Sequence, residues 1–289
     1  MTKLDFHPLE VTDVANPSVG PARYHGPVAR KPTLSPSKIS TYLACPVKYR
    51  WTYVDSRGKW FMRSRSYFSF GTSLHQVLQR FHDSEDKGVM TTHEAVSALE
   101  DSWLTSGYSS QDEMQQALAE GKEIVEAYTE RIAAQPVTSK TLYVEKNLRC
   151  DFPDFALNGI LDRVDEREDG VLEVIDYKSG RSSVSPQEVH DDLAMSIYQI
   201  LLQNEYPTRR IEATIIALRT GNSATAHLTP LEQTQFMDDL TGLAREIIDR
   251  DYENITPILK PICSNCDFLP LCRKHPDFAD DLASEILES

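Results

Sequence analysis

Apolar residues recur at helical spacing in several parts of the chain. The first such stretch begins after Ser35-Pro36, a typical cap and first-turn pair, and continues with one break to about residue 54. Another opens at Gly71-Thr72, and His75 lies beside its apolar stripe. The stripe consists of Leu74, Val77, Leu78 and Phe81. Residues 186–206 and 231–250 repeat the same spacing, so the chain is predicted to contain at least four helical segments.

A second pattern, alternation of apolar and polar residues, begins at Leu142. Three such runs follow one another, LYVEKNLRC, FALNGILDRVDE and VLEVIDYK, with turn signals at Pro153 and Asp169-Gly170 between them. They predict a three-stranded meander. RIEATIIALRT and SATAHLT predict two further strands after the helix at 186–206. Strands and helices in this order predict an α/β fold with a central mixed sheet flanked by helices.

The composition changes at both ends of the chain and once in the middle. Six of the 16 prolines lie in the first 36 residues, so residues 1–34 are expected to form an extended arm. Residues 35–275 are expected to form one main domain, with a helical insertion at about 91–135 and a core at about 140–230. Residues 276–289 contain five acids and no cation, and we expect a solvated acidic tail.

The chain has 289 residues and a net charge of -14 at pH 7. Such a charge is repelled by phosphate, which excludes a protein that coats nucleic acid by bulk electrostatics and requires any contact to be local. No window approaches the roughly 20 apolar residues of a membrane span. The N-terminus also lacks a basic-then-apolar signal, so we expect a cytoplasmic protein without a membrane partner.

A local basic segment does exist, because residues 48–68 contain six cations and a single acid, Asp55. The cations are Lys48, Arg50, Arg57, Lys59, Arg63 and Arg65, and aromatic residues are interleaved with them. Basic side chains follow a phosphate backbone and aromatic faces stack on unpaired bases, so the segment suits single-stranded DNA. The alternative is a pair of helices whose aromatic residues pack into the core while the cations stay solvated.

Two carboxylates and a lysine mark the ends of two predicted strands. Asp162 lies near the end of the second strand of the meander, and Asp176 and Lys178 end the third. If these strands pair around Asp169-Gly170, the carboxylates come close, and alternation places Asp176 and Lys178 on one face. Neighbouring carboxylates recruit a divalent cation such as Mg2+ or Mn2+.

Such an ion binds a phosphate oxygen and activates water, while Lys178 orients or activates the attacking water, which is the chemistry of phosphodiester hydrolysis. The alternative is a solvated strand end where Asp176 and Lys178 only face each other.

The motifs GTSLHQVL, GxxDRVD and DYKSG, in this order, resemble the RecB-like branch of the PD-(D/E)XK nuclease superfamily over roughly residues 35–275. The resemblance implies a restriction-endonuclease-like core. It also implies that His75, Asp162, Asp176 and the backbone carbonyl of Tyr177 bind the metal and that Lys178 is the catalytic lysine. An imidazole ligand favours Mn2+ somewhat over Mg2+. Glu145, on the preceding strand, is either a residue of the same cleft or a surface glutamate.

The chain departs from this family on the next helix, where a glutamine and a tyrosine four residues apart help to hold DNA. Tyr198 is kept, but Ala194 stands where the glutamine is expected. Gln199 is one residue beyond Tyr198 and points about 100° away from it, so it cannot replace the missing amide without a local shift. The resemblance therefore implies an altered grip on the strand.

The cysteines form a separate group. Cys263, Cys266 and Cys272 have the spacing C-x2-C-x5-C, Cys45 lies far upstream, and Cys150 is left over in a strand. In a cytosolic protein such a group binds metal more readily than it forms disulfides, and by spacing alone it suits zinc as well as iron.

RecB-like nucleases that resemble the CRISPR-associated exonucleases and the AddB nuclease carry one cysteine before the core and three after it. In those proteins the four cysteines hold a 4Fe-4S cluster. The resemblance therefore implies a 4Fe-4S cluster on Cys45, Cys263, Cys266 and Cys272, with structural zinc as the alternative.

Together the motifs predict a metal-dependent deoxyribonuclease, an exonuclease that acts on single-stranded DNA or DNA ends in repair, recombination or CRISPR adaptation. The chain has no phosphate-binding G-x-x-x-x-G-K-[ST] motif, so a helicase or CRISPR adaptation proteins are the expected partners. The alternatives are a non-catalytic DNA-binding subunit of a nuclease complex and a structure-specific endonuclease on the same core.

Overall fold

The computed structural model describes residues 31–83, 91–135 and 138–288, with side chains up to residue 283. The strands of its sheet are β1 (Thr33–Leu34), β2 (Ser139–Asp151), β3 (Ala156–Arg167), β4 (Leu172–Lys178), β5 (Ile211–Ala217) and β6 (Asn222–Ala226). The helices are α1 (Pro36–Ala44), α2 (Pro46–Tyr49), α3 (Ser66–His82), α4 (Thr92–Ser102), α5 (Gln111–Ala134), α6 (Pro186–His190), α7 (Leu193–Glu205), α8 (Pro230–Asp249), α9 (Leu269–Cys272) and α10 (Pro276–Glu288). A π-helical turn covers Arg50–Val54, and short 3-10 helices cover Ser56–Trp60 and Pro261–Asn265.

The sheet is mixed, as the sequence predicts. Strands β2, β3 and β4 form an antiparallel meander, and β4 pairs in parallel with β5, which pairs antiparallel with β6. The β3–β4 hairpin turns at Gly170, whose φ of 82° lies in the left-handed region that glycine adopts without a steric penalty. The parallel step from β4 to β5 requires a crossover, which α6 and α7 supply.

Helices cover both faces of the sheet because successive side chains of its strands point into two different hydrophobic cores. Along β4, Val174 packs into a core that also contains residues of α1, α7 and α8, whereas Ile175 and Tyr177 pack into a second core. That second core is formed with α3, α4 and α5. The α/β fold class with a central mixed sheet is thereby confirmed, and α3 and α7 lie on opposite sides of the strands that carry the candidate chemistry.

The two chain ends differ from the sequence prediction. The arm was expected to extend to residue 34, but Thr33 and Leu34 form β1, which pairs in parallel with the start of β3 because Leu34 belongs in the core. The rest of the arm, residues 1–30, lies outside the described residues. The acidic tail forms helix α10: Asp277, Asp280 and Asp281 are exposed as expected, but Phe278 is buried.

Among the described residues, no helix combines the length and apolar character needed to cross a bilayer.

Candidate active site

The middle of β3 and the end of β4 bring two carboxylates and a lysine together, whereas the sequence placed Asp162 near the end of its strand. The backbone N–H of Tyr177 donates to Asp162 Oδ2 at 2.9 Å, which fixes the Asp162 carboxylate against β4. Lys178 Nζ lies 2.7 Å from Asp176 Oδ2 in an ion pair, as expected for residues two apart on one face of a strand. Pairing of β3 with β4 around Gly170 therefore gathers the three groups, as the hairpin prediction required.

Helix α3 brings His75 to the same strands. Its Nε2–H donates to the Tyr177 carbonyl at 2.9 Å, and its Nδ1 lies 3.3 Å from Asp162 Oδ2. The helix begins at Ser66, one and a half turns before the start predicted at Gly71-Thr72. No cap signal marks this start because the residue at the N-cap is Arg65, whose side chain makes no capping hydrogen bond.

Glu145 completes a group of three possible metal ligands with His75 and Asp162. One ligand atom from each lies within 4.8 Å of the others. In the register of β2 and β3, Glu145 falls between the pairs Val144–Arg163 and Lys146–Leu161, directly across from Asp162. The sequence left Glu145 open between a cleft residue and a surface residue, and the structure places it in the cleft.

The charges of these groups act strongly on one another. Burial raises the pKa of Asp176 to about 6, reinforced by Asp162 and opposed by Lys178. Burial and then Asp162 also raise the pKa of Glu145. Burial alone would lower the pKa of His75, but the hydrogen bond and charge of Asp162 raise it to about 9. The site therefore concentrates negative charge that a cation would stabilise.

Beneath these residues lies a buried network that the sequence did not reveal. The Arg163 Nη1–H group donates to His82 Nε2 at 2.6 Å, to the Tyr128 hydroxyl at 2.9 Å and to the Tyr177 hydroxyl at 3.0 Å. Arg163 Nε also lies 3.1 Å from Asp165 Oδ1. Burial and then Arg163 lower the pKa of His82 to about 2, so His82 is neutral and able to accept. The network supports Tyr177, whose backbone contacts both His75 and Asp162.

Helix α7 lies on the other side of β3 and β4. Burial, followed by the charges of Asp176 and Asp162, raises the pKa of Tyr198, so these carboxylates act on Tyr198 electrostatically. Gln199 points elsewhere: it is buried, and its Oε1 accepts from Leu228 N at 3.0 Å. The expectation that Gln199 does not take over the role of the missing amide at Ala194 agrees with this placement.

A single cleft of about 950 Å3 connects these groups. Its sheet side contains Glu145, Asp162, Asp176 and Lys178, and its helix side is formed by α3. The side chains from α3 are Tyr67, Phe68, Thr72, His75, Gln76 and Gln79. The cleft is open to solvent, and Asp162, Asp176 and Lys178 all line it.

Most of the basic segment is engaged in ion pairs instead of lining this cleft. Arg63 Nε lies 2.9 Å and Arg65 Nη2 lies 2.5 Å from Asp267 Oδ1, next to Cys266. Arg50 stacks over the ring of Trp51 and pairs with Asp55 at 3.8 Å. The structure thus gives Arg63 and Arg65 a part in holding the cysteine-bearing loop, while Arg63 keeps most of its side chain in solvent.

The four cysteines of the predicted cluster come from both ends of the domain, and the charges of Cys45 and Cys263 act on both Cys266 and Cys272. All four are free thiols. Burial raises the pKa of Cys272 to about 12, with further contributions from Cys266, Cys45 and Cys263. Lys260 Nζ also donates to the carbonyl of Ala44 at 3.0 Å, which joins the two segments beside Cys45. The fold thereby brings together cysteines that are far apart in the sequence.

Comparison with known proteins identifies the family. The sequence model of the PD-(D/E)XK nuclease superfamily matches residues 33–273. The chain belongs to the PD-(D/E)XK nuclease superfamily. No curated protein matches the sequence. One similar solved structure is described as the crystal structure of SSO0001, with 12% sequence identity and a TM-score of 0.32 over 72% of this chain and 95% of that chain.

Membership of the PD-(D/E)XK superfamily implies metal-dependent nuclease activity and a nucleic-acid substrate. Nucleases of this superfamily use divalent metals such as Mg2+ or Mn2+. In this nuclease His75, Glu145 and Asp162 form a group that could hold such an ion.

Proposed function

We propose that this nuclease is a RecB-like deoxyribonuclease, an exonuclease that degrades single-stranded DNA or DNA ends. The observation that carries the proposal is the convergence of His75, Asp162, Asp176 and Lys178 in one open cleft, in the motif order of that branch. The activity suits repair, recombination or CRISPR adaptation, where a helicase or adaptation proteins would supply the strand.

The donor set fits a divalent cation. His75, Glu145 and Asp162 offer ligand atoms within 4.8 Å of one another, and carboxylate oxygens with one imidazole suit Mn2+ or Mg2+. The Tyr177 carbonyl and the buried Asp176 border the same space. When bound there, the ion supplies Lewis acidity toward a phosphate oxygen and lowers the pKa of water.

The side chains of the chain itself have separate tasks. Asp176 holds the Lys178 ammonium at 2.7 Å, so that the ammonium can donate to the attacking water and counter the charge that develops on the phosphate. The Tyr177 backbone N–H fixes the orientation of the Asp162 carboxylate. We assign Tyr198, on α7 within electrostatic range of Asp176 and Asp162, a part in holding the DNA strand.

The test compares wild type with Lys178→Ala on end-labelled linear single-stranded DNA, duplex DNA, circular single-stranded DNA and RNA, each with Mn2+ or EDTA. We expect Lys178→Ala to cut linear DNA at least about 100-fold more slowly, the loss typical of removing one charge-stabilising donor. Lys140→Ala is the control, because Lys140 is an exposed lysine of β2 outside the cleft.

Each substrate separates the proposal from its alternatives. Equal rates for wild type and Lys178→Ala would refute the catalytic assignment. Cleavage of the circle would identify an endonuclease, and binding without cleavage would identify a non-catalytic subunit. Preference for RNA would exclude a deoxyribonuclease.

We further propose that Cys45, Cys263, Cys266 and Cys272 hold a 4Fe-4S cluster, with a structural zinc ion as the alternative. The residues offer the donor set of either group, because two distant segments contribute four free thiols. The charges of Cys45 and Cys263 act on both Cys266 and Cys272. Cys45 also caps the N-terminus of α2, where the Lys48 N–H donates to its Sγ at 3.4 Å.

A further inference from the structure

Two neighbouring aromatic side chains at the start of α3 lie in solvent. Tyr67 is 62% exposed and Phe68 is 65% exposed. Their ring centroids are 4.4 Å apart and the rings are tilted by 45°, so they form one continuous apolar surface. Exposing large adjoining apolar side chains to water is unfavourable, so such side chains are typical of a surface that a binding partner covers.

This surface belongs to the active-site cleft. Tyr67 and Phe68 line the same cavity as Asp162, Asp176 and Lys178. The start of α3 is fixed beside the loop that follows Lys178: a Cβ atom at Gly71 would lie 3.1 Å from Ser179 Oγ. The aromatic pair therefore stands at the Lys178 end of the cleft.

A third exposed apolar side chain lies near the carboxylates. Ile160, two residues before Asp162 on β3, is 49% exposed and also lines the cleft. A DNA strand that reaches the reactive groups therefore meets apolar side chains in the same cleft, in addition to the phosphate-binding groups.

We propose that Tyr67 and Phe68 form a base-stacking subsite for the DNA strand whose phosphate lies at Lys178. The inference rests on the proposed deoxyribonuclease function and assigns it a specificity-determining surface. Unpaired bases present their faces to aromatic rings, whereas the bases of a duplex are already stacked on one another, so the pair selects single-stranded DNA at the point of cleavage.

Nucleic acid fits this surface better than a protein partner because cations accompany the rings. Lys178 and Arg181 line the same cleft. Lys178 pairs with Asp176 at 2.7 Å, and Arg181 Nη2 lies 3.6 Å from Asp192 Oδ2, so carboxylates hold both cations beside the rings. Aromatic rings and cations that line one cleft are the combination that binds single strands.

The experiment measures binding of fluorescent oligo-dT by Lys178→Ala protein with Mn2+, so that cleavage does not interfere. Adding Tyr67→Ala or Phe68→Ala should weaken binding by about tenfold per ring, as expected for the loss of one stacked base. In the parent, an abasic site scanned along the oligonucleotide should cause the same loss at one or two positions. When Tyr67→Ala or Phe68→Ala is added to the parent, an abasic site at those positions should cause no further loss of affinity. Tyr67→Trp in the same parent should restore the affinity that Tyr67→Ala removes.

The chain offers a matched control. Trp60 is 88% exposed but does not line the cleft, so Trp60→Ala should change affinity by less than about twofold. Equal losses from Trp60→Ala and Tyr67→Ala, uniform sensitivity to abasic sites, or failure of the parent to bind oligo-dT would each overturn the inference. If wild type cuts DNA while Tyr67→Ala and Phe68→Ala bind normally, the inference fails and the nuclease function stands. If the two rings stack on bases but wild type does not cut DNA, the nuclease function fails and the stacking inference stands.

Discussion

Glu145 has a φ of 46°, in the left-handed region that residues other than glycine rarely adopt. For an L-residue this conformation costs roughly 1–2 kcal/mol. The same residue also places a partly buried carboxylate near Asp162, which raises the pKa of Glu145. Two unfavourable terms at one member of a possible metal-binding group indicate strain held for function, because such strain persists only where the surroundings enforce it.

If Glu145 is strained in order to hold a metal, removing its carboxylate should weaken the use of metal, and relieving the strain with glycine should raise the stability. Glu145→Gly and Glu145→Ala both remove the carboxylate, so the Mn2+ concentration for half-maximal cleavage should rise about tenfold or more. Without metal, the glycine variant should be more stable than the alanine variant by about 1 kcal/mol, because glycine adopts this φ freely and loses only part of the gain to entropy. Urea unfolding in EDTA measures the difference.

Lys146, the next residue of β2, provides the control because its φ is not positive. There the order should reverse, with Lys146→Ala more stable than Lys146→Gly. The conclusion that Glu145 is strained is wrong if the alanine and glycine variants have the same order of stability at positions 145 and 146.

At the scale of the elements, periodicity predicted most of what forms the site. Alternation in VLEVIDYK correctly put Asp176 and Lys178 on one face, since a strand has a period of two whatever surrounds it. The start of α3 could not be predicted because Arg65 does not cap it. The position of Glu145 depends on the register in which β2 pairs with β3, which the local pattern does not encode.

The buried Arg163 was also outside the reach of the sequence. Arginine is almost always exposed, and only the tertiary arrangement supplies the hydroxyls of Tyr128 and Tyr177 that make its burial tolerable. These hydroxyls come from α5 and β4, whereas Asp165 lies two residues along the same strand and is the one partner that local spacing implies.

The packing of β3 against α7 gives a prediction for Gly159. A Cβ at Gly159 would lie 2.8 Å from Tyr198 Cε1 and 2.9 Å from Leu201 Cδ1. Gly159→Ala should therefore destabilise the fold by about 1–3 kcal/mol, the usual cost of overpacking. It should also slow cleavage, because it pushes Tyr198 relative to the carboxylates. Chemical denaturation and single-turnover rates measure the two effects.

Gly242 is the matched control in helix α8, where nothing lies within 4 Å of an added Cβ. Gly242→Ala should stabilise the protein by about 0.5–1 kcal/mol, since alanine loses less conformational entropy in a helix, and should leave cleavage unchanged. A destabilising effect of the same size at both glycines would contradict the packing argument.

At the scale of the whole molecule, the proposed cysteine cluster would join the two ends of the domain. The segment between β1 and β2 contributes Cys45, and the segment after α8 contributes the other three thiols. Arg63 and Arg65 reinforce the junction through Asp267. Closing a loop that contains most of the chain removes entropy from the unfolded state, a stabilisation on the order of 4 kcal/mol.

Cys272→Ser should therefore lower both the cluster content and the stability, whereas Cys150→Ser should change neither, because Cys150 lies in β2 away from the other four. Protein purified without oxygen should be brown with broad visible absorption, and Cys272→Ser should lose the colour together with about 4 kcal/mol of unfolding free energy. Metal analysis decides the identity of the group: a colourless wild type with one zinc per chain would replace iron-sulfur by zinc. Loss of colour without loss of stability would instead show that the direct contacts of Asp267 and Lys260 hold the ends together unaided.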